Sequence, residues 1–348
     1  MKRSWPFLAA LALAVPAAAN DSTAERVAGG LVLTRSADID MVSEDLFISA
    51  AEVRVRYVFR NRSDKPIESE IAFPMPDRDL GEERQMDVAY PTGFRTEVVG
   101  RPRIMWKDRR AMLGSVDHTS RLFKLRLPLD ADSEALDKLS AADKAELVRL
   151  GLAEVEEYDS GKGWQRHLAP MWTLKEIYGW TETFPPGRDV VIEHRYVPGV
   201  GGSVDAALGF PEFRAGPEGK AMIRDYCVDA AFLAGLDRLR RRSMATPEQR
   251  IGYVLTTGGN WRSPIGRFRL VVDKGKAENL VSFCGEGVRK ISPTRFEIGE
   301  DELAAGAGSE GADRDARREL GKIVTPDLIR GPSSPSRPKE GGCRISPA

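Results

Sequence analysis

Across residues 47–60 the apolar side chains of Val53, Val55, Tyr57 and Phe59 alternate with Arg54, Arg56 and Arg60. That period of two predicts a strand with one buried face. Residues 61–66 (Asn-Arg-Ser-Asp-Lys-Pro) supply a turn, because such side chains bond their own backbone or fix φ, and the extended pattern resumes at residues 67–73. The two runs are therefore predicted to pair as a hairpin. Pro74 and Pro76 end the second run, since neither can donate to a ladder. Residues 94–99, turning at Gly100, predict another strand with Ile104 and Trp106 on its return.

The pattern changes near Asp130. Ser140 stands where it can cap a helix with Asp143 three residues on; Leu147 and Leu150 continue the helix and Gly151 occupies its C′ position. The alternation returns from Trp180, and residues 190–196 place His194 on the more apolar face of a strand. Residues 229–242 are helical in pattern, with Phe232, Leu233, Leu236 and Leu239 on one side and a run of arginines at the end, where they meet the helix dipole favourably. Thr246, Pro247, Glu248 and Gln249 predict a further helix start. Short strands follow at 253–255, 268–272, 280–283 and 295–298. Many short strands without βαβ alternation predict a mainly β chain, an antiparallel β-sandwich or a pair of them with short helical excursions. The division is 20–130 as a β-rich part, 131–160 as the helical excursion and 161–300 as a second β-rich part. Residues 301–348 lack apolar periodicity and read as a disordered tail.

The ends of the chain change the picture. Lys2 and Arg3, an apolar run over residues 5–15, Pro16 and then Ala17, Ala18 and Ala19 follow the three-part secretory signal pattern, with cleavage expected after Ala19. The apolar run is too short to span a bilayer. The expected location is periplasmic or secreted, with no membrane span after cleavage. The 348 residues carry 52 basic and 52 acidic side chains, a balance that gives no attraction to nucleic acid. In an oxidising compartment Cys227 and Cys284 read first as a disulfide, with buried free thiols as the alternative, and Cys343 is left without a partner.

Chemistry is sparse. His118, His167 and His194 have no neighbours at metal-ligand spacing, so no metal or other cofactor is expected. His194 beside Glu193 resembles an acid–base pair, but adjacent strand residues face opposite ways, and a satisfied histidine is the better reading. Asp225 and Asp229 are spaced to share one helical face, as paired carboxylates that hydrolyse glycosides must converge, although acids at a helix start are common for dipole reasons. Trp172, Tyr178, Trp180 and Trp261 are the ligand-contact candidates if exposed, and core residues if not. No reaction motif occurs. The reading is a non-enzymatic binding or structural module of the bacterial envelope, with an envelope protein or glycan as its partner. The alternative is an envelope hydrolase acting on glycan or peptide through Asp225, Asp229 or His194.

Taken as a group, ANDSTAE from Ala19, GGLVLTRS, SEDLFIS, EVRVRYVFRN, SDKPI and FPMP resemble the start of a bacterial exported family known as domain of unknown function family 4424. FPPG, EHRYVPGVGG, DYCVD, YVLTTGGNW, LVVDKG and LVSFCGEGV extend the resemblance to about Ile298. It implies export, a β-rich architecture and importance for the two matching cysteines, and it implies no activity. The stretch 301–348 departs from the family pattern, where a last apolar strand is usual, and reads as a non-native tail.

Overall fold

The computed structural model describes residues 22–27, 30–75, 77–83, 92–159, 163–251, 253, 260–303 and 322–324. The chain is mainly β, in several sheets of which one is curled into a half-barrel. Nine strands carry the frame: β1 (Ile39–Ser49), β2 (Val53–Asn61), β3 (Ile67–Pro74), β4 (Thr92–Val98), β5 (Trp106–Leu113), β6 (Thr173–Phe184), β7 (Asp189–Val197), β8 (Ile265–Asp273) and β9 (Arg295–Leu303). The larger sheet has eight strands and runs β9–β8–β1–β2–β7–β4, with short strands Arg289–Lys290 and Arg101–Pro102 at its edges. All its pairs are antiparallel except β8 with β1. The second sheet centres on β5, β6 and β3, continued by Ser22–Val27 and Gly30–Thr34.

Strand alternation makes the core. Val53, Val55, Tyr57 and Phe59 of β2 and Ile192, His194 and Tyr196 of β7 point inward and meet Phe73 of β3 with Trp180 and Phe184 of β6. The rings of Phe59 and Phe184 lie 6.0 Å apart, and those of Phe73 and His194 4.9 Å. Strands from both β-rich parts of the chain thus share one core, so the two parts build a single sandwich.

The strands depart from the sequence expectation in two places. The alternating run 47–60 is two strands: β1 runs through Phe47 to Ser49, the Ser49 amide donates to the Glu52 carbonyl at 2.9 Å, and the chain returns as β2 with Phe47 opposite Arg54. A tight turn preserves the period, so alternation alone does not reveal it. The predicted hairpin of β2 with β3 does not form either; β2 pairs with β1 and β7, whereas β3 pairs with β6 in the other sheet. The turn carries the chain across the core, and the two apolar faces oppose each other instead of lying side by side.

A second core gathers Leu122, Leu136, Leu147, Leu168 and Trp172 under helix α1 (Ala141–Arg149) and the hairpin Ala153–Asp159/Trp164–Pro170. The Ser140 hydroxyl accepts from the Asp143 amide at 3.2 Å, and Gly151 has φ of 73°, as the capping pattern requires. A third core holds Leu208, Phe232 and Leu236 between α2 (Pro217–Asp225) and α3 (Ala230–Arg240). Thr246 does not start a helix: its hydroxyl donates to Asp205 at 2.6 Å, and Glu248–Arg250 forms a strand with Gly201–Ser203. Nor are residues 301–348 wholly without order, since β9 runs to Leu303 and Lys322–Val324 pairs with Glu248–Arg250 and with Leu280–Ser282. The rest of that stretch, the expected signal segment 1–19 and Cys343 lie outside the described residues.

Candidate functional site

The residues that alternate with the core on the eight-stranded sheet line a cleft of about 470 Å³ on its solvent side. Because successive strand side chains face opposite ways, β2 sends out Arg54 and Arg56, β7 sends out Glu193 and Arg195, and β4 sends out Arg95 and Glu97. Phe47 of β1 and Val271 of β8 form an apolar end, opposite each other in register. Among the described residues six arginines line the cleft against three carboxylates, so its electrostatic character is cationic. An adjoining cleft of about 410 Å³ shares Asp45, Arg56 and Arg269 with the first and extends the trough towards Glu300 and Asp301.

Four of these guanidiniums are held in place. Arg54 stacks over Phe47 with Cζ 4.5 Å from the ring centroid, and Arg295 approaches the same ring at 5.6 Å. Arg56 pairs with Glu193 at 3.2 Å, and Arg269 pairs with Asp45 at 3.1 Å and Glu297 at 3.2 Å. Burial opposes ionisation of Glu297, but Arg289 and Arg269 outweigh it and hold its carboxyl below the usual range. Such a surface can bind carboxylate or phosphate groups through forked N–H donors.

The residues singled out from the sequence are not brought together. His194 is buried at 1% exposure, its Nδ1 2.9 Å from the Thr96 hydroxyl and its ring against Phe94 at 5.2 Å. Asp225 ends α2 and accepts from Arg224 at 2.9 Å, while Asp229 caps α3 by accepting from the Phe232 amide at 2.6 Å. The two carboxylates do not share a helix face, because the chain reverses at Cys227, whose φ is 50°. Trp172, Trp180 and Trp261 are buried in the cores; the Trp172 indole donates to the Leu129 carbonyl at 2.7 Å. Tyr178 is half-buried, stacked on Phe94 at 4.7 Å with Lys107 5.0 Å over its ring, and burial pushes its hydroxyl pKa up. The sequence reading therefore missed the arginine cleft. Its signal was present in the outward positions of each strand, but which arginines stand side by side depends on inter-strand register.

Cys227 and Cys284 form a disulfide, with S–S 1.99 Å and Cα–Cα 5.1 Å. Among the described residues no group of three or more His, Cys, Asp or Glu could hold a metal ion, and no helix is long and apolar enough to cross a membrane.

The fold and the cleft define a class: a β-sandwich protein with helical insertions and a cationic cleft on the outer face of its larger sheet. The chain belongs to the domain of unknown function family DUF4424, which it matches over residues 19–304. Among solved structures it is similar to a protein of Legionella pneumophila subsp. pneumophila str. Philadelphia 1, provisionally described as a nutrient binding protein. That likeness has 15% identity and a TM-score of 0.40, covering 89% of this chain and 73% of the other. None of the curated proteins matches the chain.

Proposed function

We propose that this chain is an exported binding module of the bacterial envelope, periplasmic or secreted, which holds a ligand in the cleft of its eight-stranded sheet and carries out no reaction on it. The observation that carries this reading is the cleft itself. Its volume, about 470 Å³, lies within the range of small-molecule sites, and it combines an apolar end with converging charged groups. The Cys227–Cys284 disulfide supports export, because disulfides persist in oxidising compartments. The burial of His194 in the sandwich and the placing of Asp225 and Asp229 at the ends of two different helices support binding over catalysis.

The test is native mass spectrometry of the chain expressed with its own leader and recovered from the periplasm or medium. The denatured mass is expected to begin at Asn20 and to take one thiol label. The native mass is expected to exceed the denatured mass by a retained small molecule, and Arg56→Trp, which fills the cleft from an exposed position, is expected to lose it. A chain that retains its leader and labels three thiols removes export from the reading. A native mass without excess, joined to no thermal stabilisation by envelope extracts, removes binding, and hydrolysis of envelope glycan or peptide by the pure chain replaces binding with catalysis.

A further inference from the structure

Three arginines stand in register across three neighbouring strands of the cleft: Arg54 of β2 is opposite Arg195 of β7, which is opposite Arg95 of β4. All three are exposed and all line the cleft. Like charges directly opposite one another on a sheet are unfavourable. The row two residues away on the same face is built differently, since Arg269, Asp45, Arg56 and Glu193 alternate in sign from strand to strand before ending on Glu97. That row matches charges across four strands and opposes like charges only at Glu193 and Glu97, whereas Arg54, Arg195 and Arg95 oppose like charges at both of their contacts.

Among the described residues, carboxylates do not neutralise the arginine row. Glu52 is shared, 2.9 Å from Arg54 and 3.2 Å from Arg195, and Arg95 makes no ion pair among the described residues. At the other end the row continues into Phe47 and Val271, where Arg54 is fixed by stacking on the Phe47 ring. Neighbouring guanidiniums are one strand apart, about 4.8 Å at the backbone.

We propose that the row Arg54–Arg195–Arg95 binds a small multivalent anion, a molecule with at least two carboxylate or phosphate groups about one strand spacing apart and an apolar part that lies against Phe47. This rests on the binding-module reading and names the ligand chemistry of that same cleft. The guanidinium fork fits both kinds of anionic group, so the chemistry they share is what the row recognises. The cleft volume suits a small molecule.

Calorimetric titration of the full chain at low ionic strength tests the proposal, with pyrophosphate, tripolyphosphate and glutarate set against the single-group anions orthophosphate and acetate. At least one multivalent anion is expected to bind tenfold or more tightly than its single-group counterpart, and the arm in which it does so identifies phosphate or carboxylate as the group. Arg195→Gln and Arg95→Gln are expected to lose tenfold or more while melting as the parent does, and Arg149→Gln on the remote helix α1 is expected to change nothing. Binding is expected to fall with added salt, which screens exposed charges. Equal binding of single-group and multivalent anions, or equal losses in Arg149→Gln and Arg195→Gln, overturns the proposal. If no anion binds while the native mass still shows a neutral ligand lost in Arg56→Trp, the anion proposal fails and the binding-module reading stands. If neither experiment shows a ligand, both fail.

Discussion

Asp40 shows how a single buried carboxylate couples the fold to pH. It is 6% exposed, and it accepts from Arg62 at 2.6 Å, Arg262 at 3.1 Å and Ser263 at 2.9 Å. Burial raises its pKa, but those donors outweigh burial and hold the carboxyl below the usual range. The unfolded chain then takes up its proton first on acidification. The stabilisation is complete above the unfolded carboxylate value of about 4 and is lost as pH falls through the lower folded value. Urea unfolding is expected to show a cost of about 1–3 kcal/mol for Asp40→Asn at pH 7, shrinking towards zero near pH 2. An equal cost at both pH values would show that packing, and not charge, sets the effect. Gly179 makes a second prediction. A Cβ there would stand 2.0 Å from the Trp106 ring, which lies on the glycine across the β5–β6 pair. Gly179→Ala is expected to displace the indole, with a fall of about 1–3 kcal/mol in stability and a shift in tryptophan emission. Neither the Asp40 cluster nor the Gly179 contact was legible in the sequence, because the partners lie far along the chain. The inward face of His194 was legible, since it needs only the period of its own strand.

At the scale of elements, the passage from β2 to β3 decides the architecture. Asn61 is fully buried and its side chain organises the turn: Nδ2 donates to the carbonyls of Lys65 at 2.7 Å and Phe184 at 2.9 Å, and Oδ1 accepts from the Ser63 amide at 2.8 Å. One side chain thus shapes the turn locally and ties it to the end of β6 in the opposite sheet. Asn61→Ala is expected to cost about 2–4 kcal/mol by denaturant unfolding, from buried groups left without partners. Ser63→Ala, at a more exposed site, is expected to cost less than half as much, and the reverse order would mean that the local turn alone is what matters. The turn residues were read correctly, but the pairing was not. The same Asn, Ser, Asp and Pro chemistry serves a hairpin and a crossing between sheets, and the choice depends on where Phe73 and Phe184 find apolar surface. Thr246 repeats the lesson, because the hydroxyl that suits a helix cap is taken by Asp205 from 41 positions away. Helix α1, by contrast, was legible from Ser140 to Gly151, since both of its caps act within a few residues.

At the scale of the molecule, one large core and two small ones divide the stability unevenly. The sandwich core joins strands from residue 39 to residue 303. The third core contains five buried residues, among them Leu208, Phe232 and Leu236, under α2 and α3. It is stapled to the segment after Leu280–Ser282 by the Cys227–Cys284 disulfide, across 57 positions. On chain entropy alone a loop of that length is stabilised by about 4 kcal/mol, which is large beside what so small a cluster can supply. Mainly β composition and the paired cysteines could be read from the sequence, but this unequal partition could not, since it depends on which contacts each segment finds. Reduction, or the Cys227→Ser/Cys284→Ser double variant, is therefore expected to act locally. Amide exchange in α2 and α3 should quicken by tenfold or more while β2 and β7 keep their protection, and α2 and α3 should melt at a lower temperature while the sandwich melts as before. Uniform loss of protection across β2, β7, α2 and α3 would mean that the helical cluster and the sandwich unfold as one unit. The staple would then stabilise the whole chain, and the cleft on the sheet would depend on the redox state of a bond in a different core.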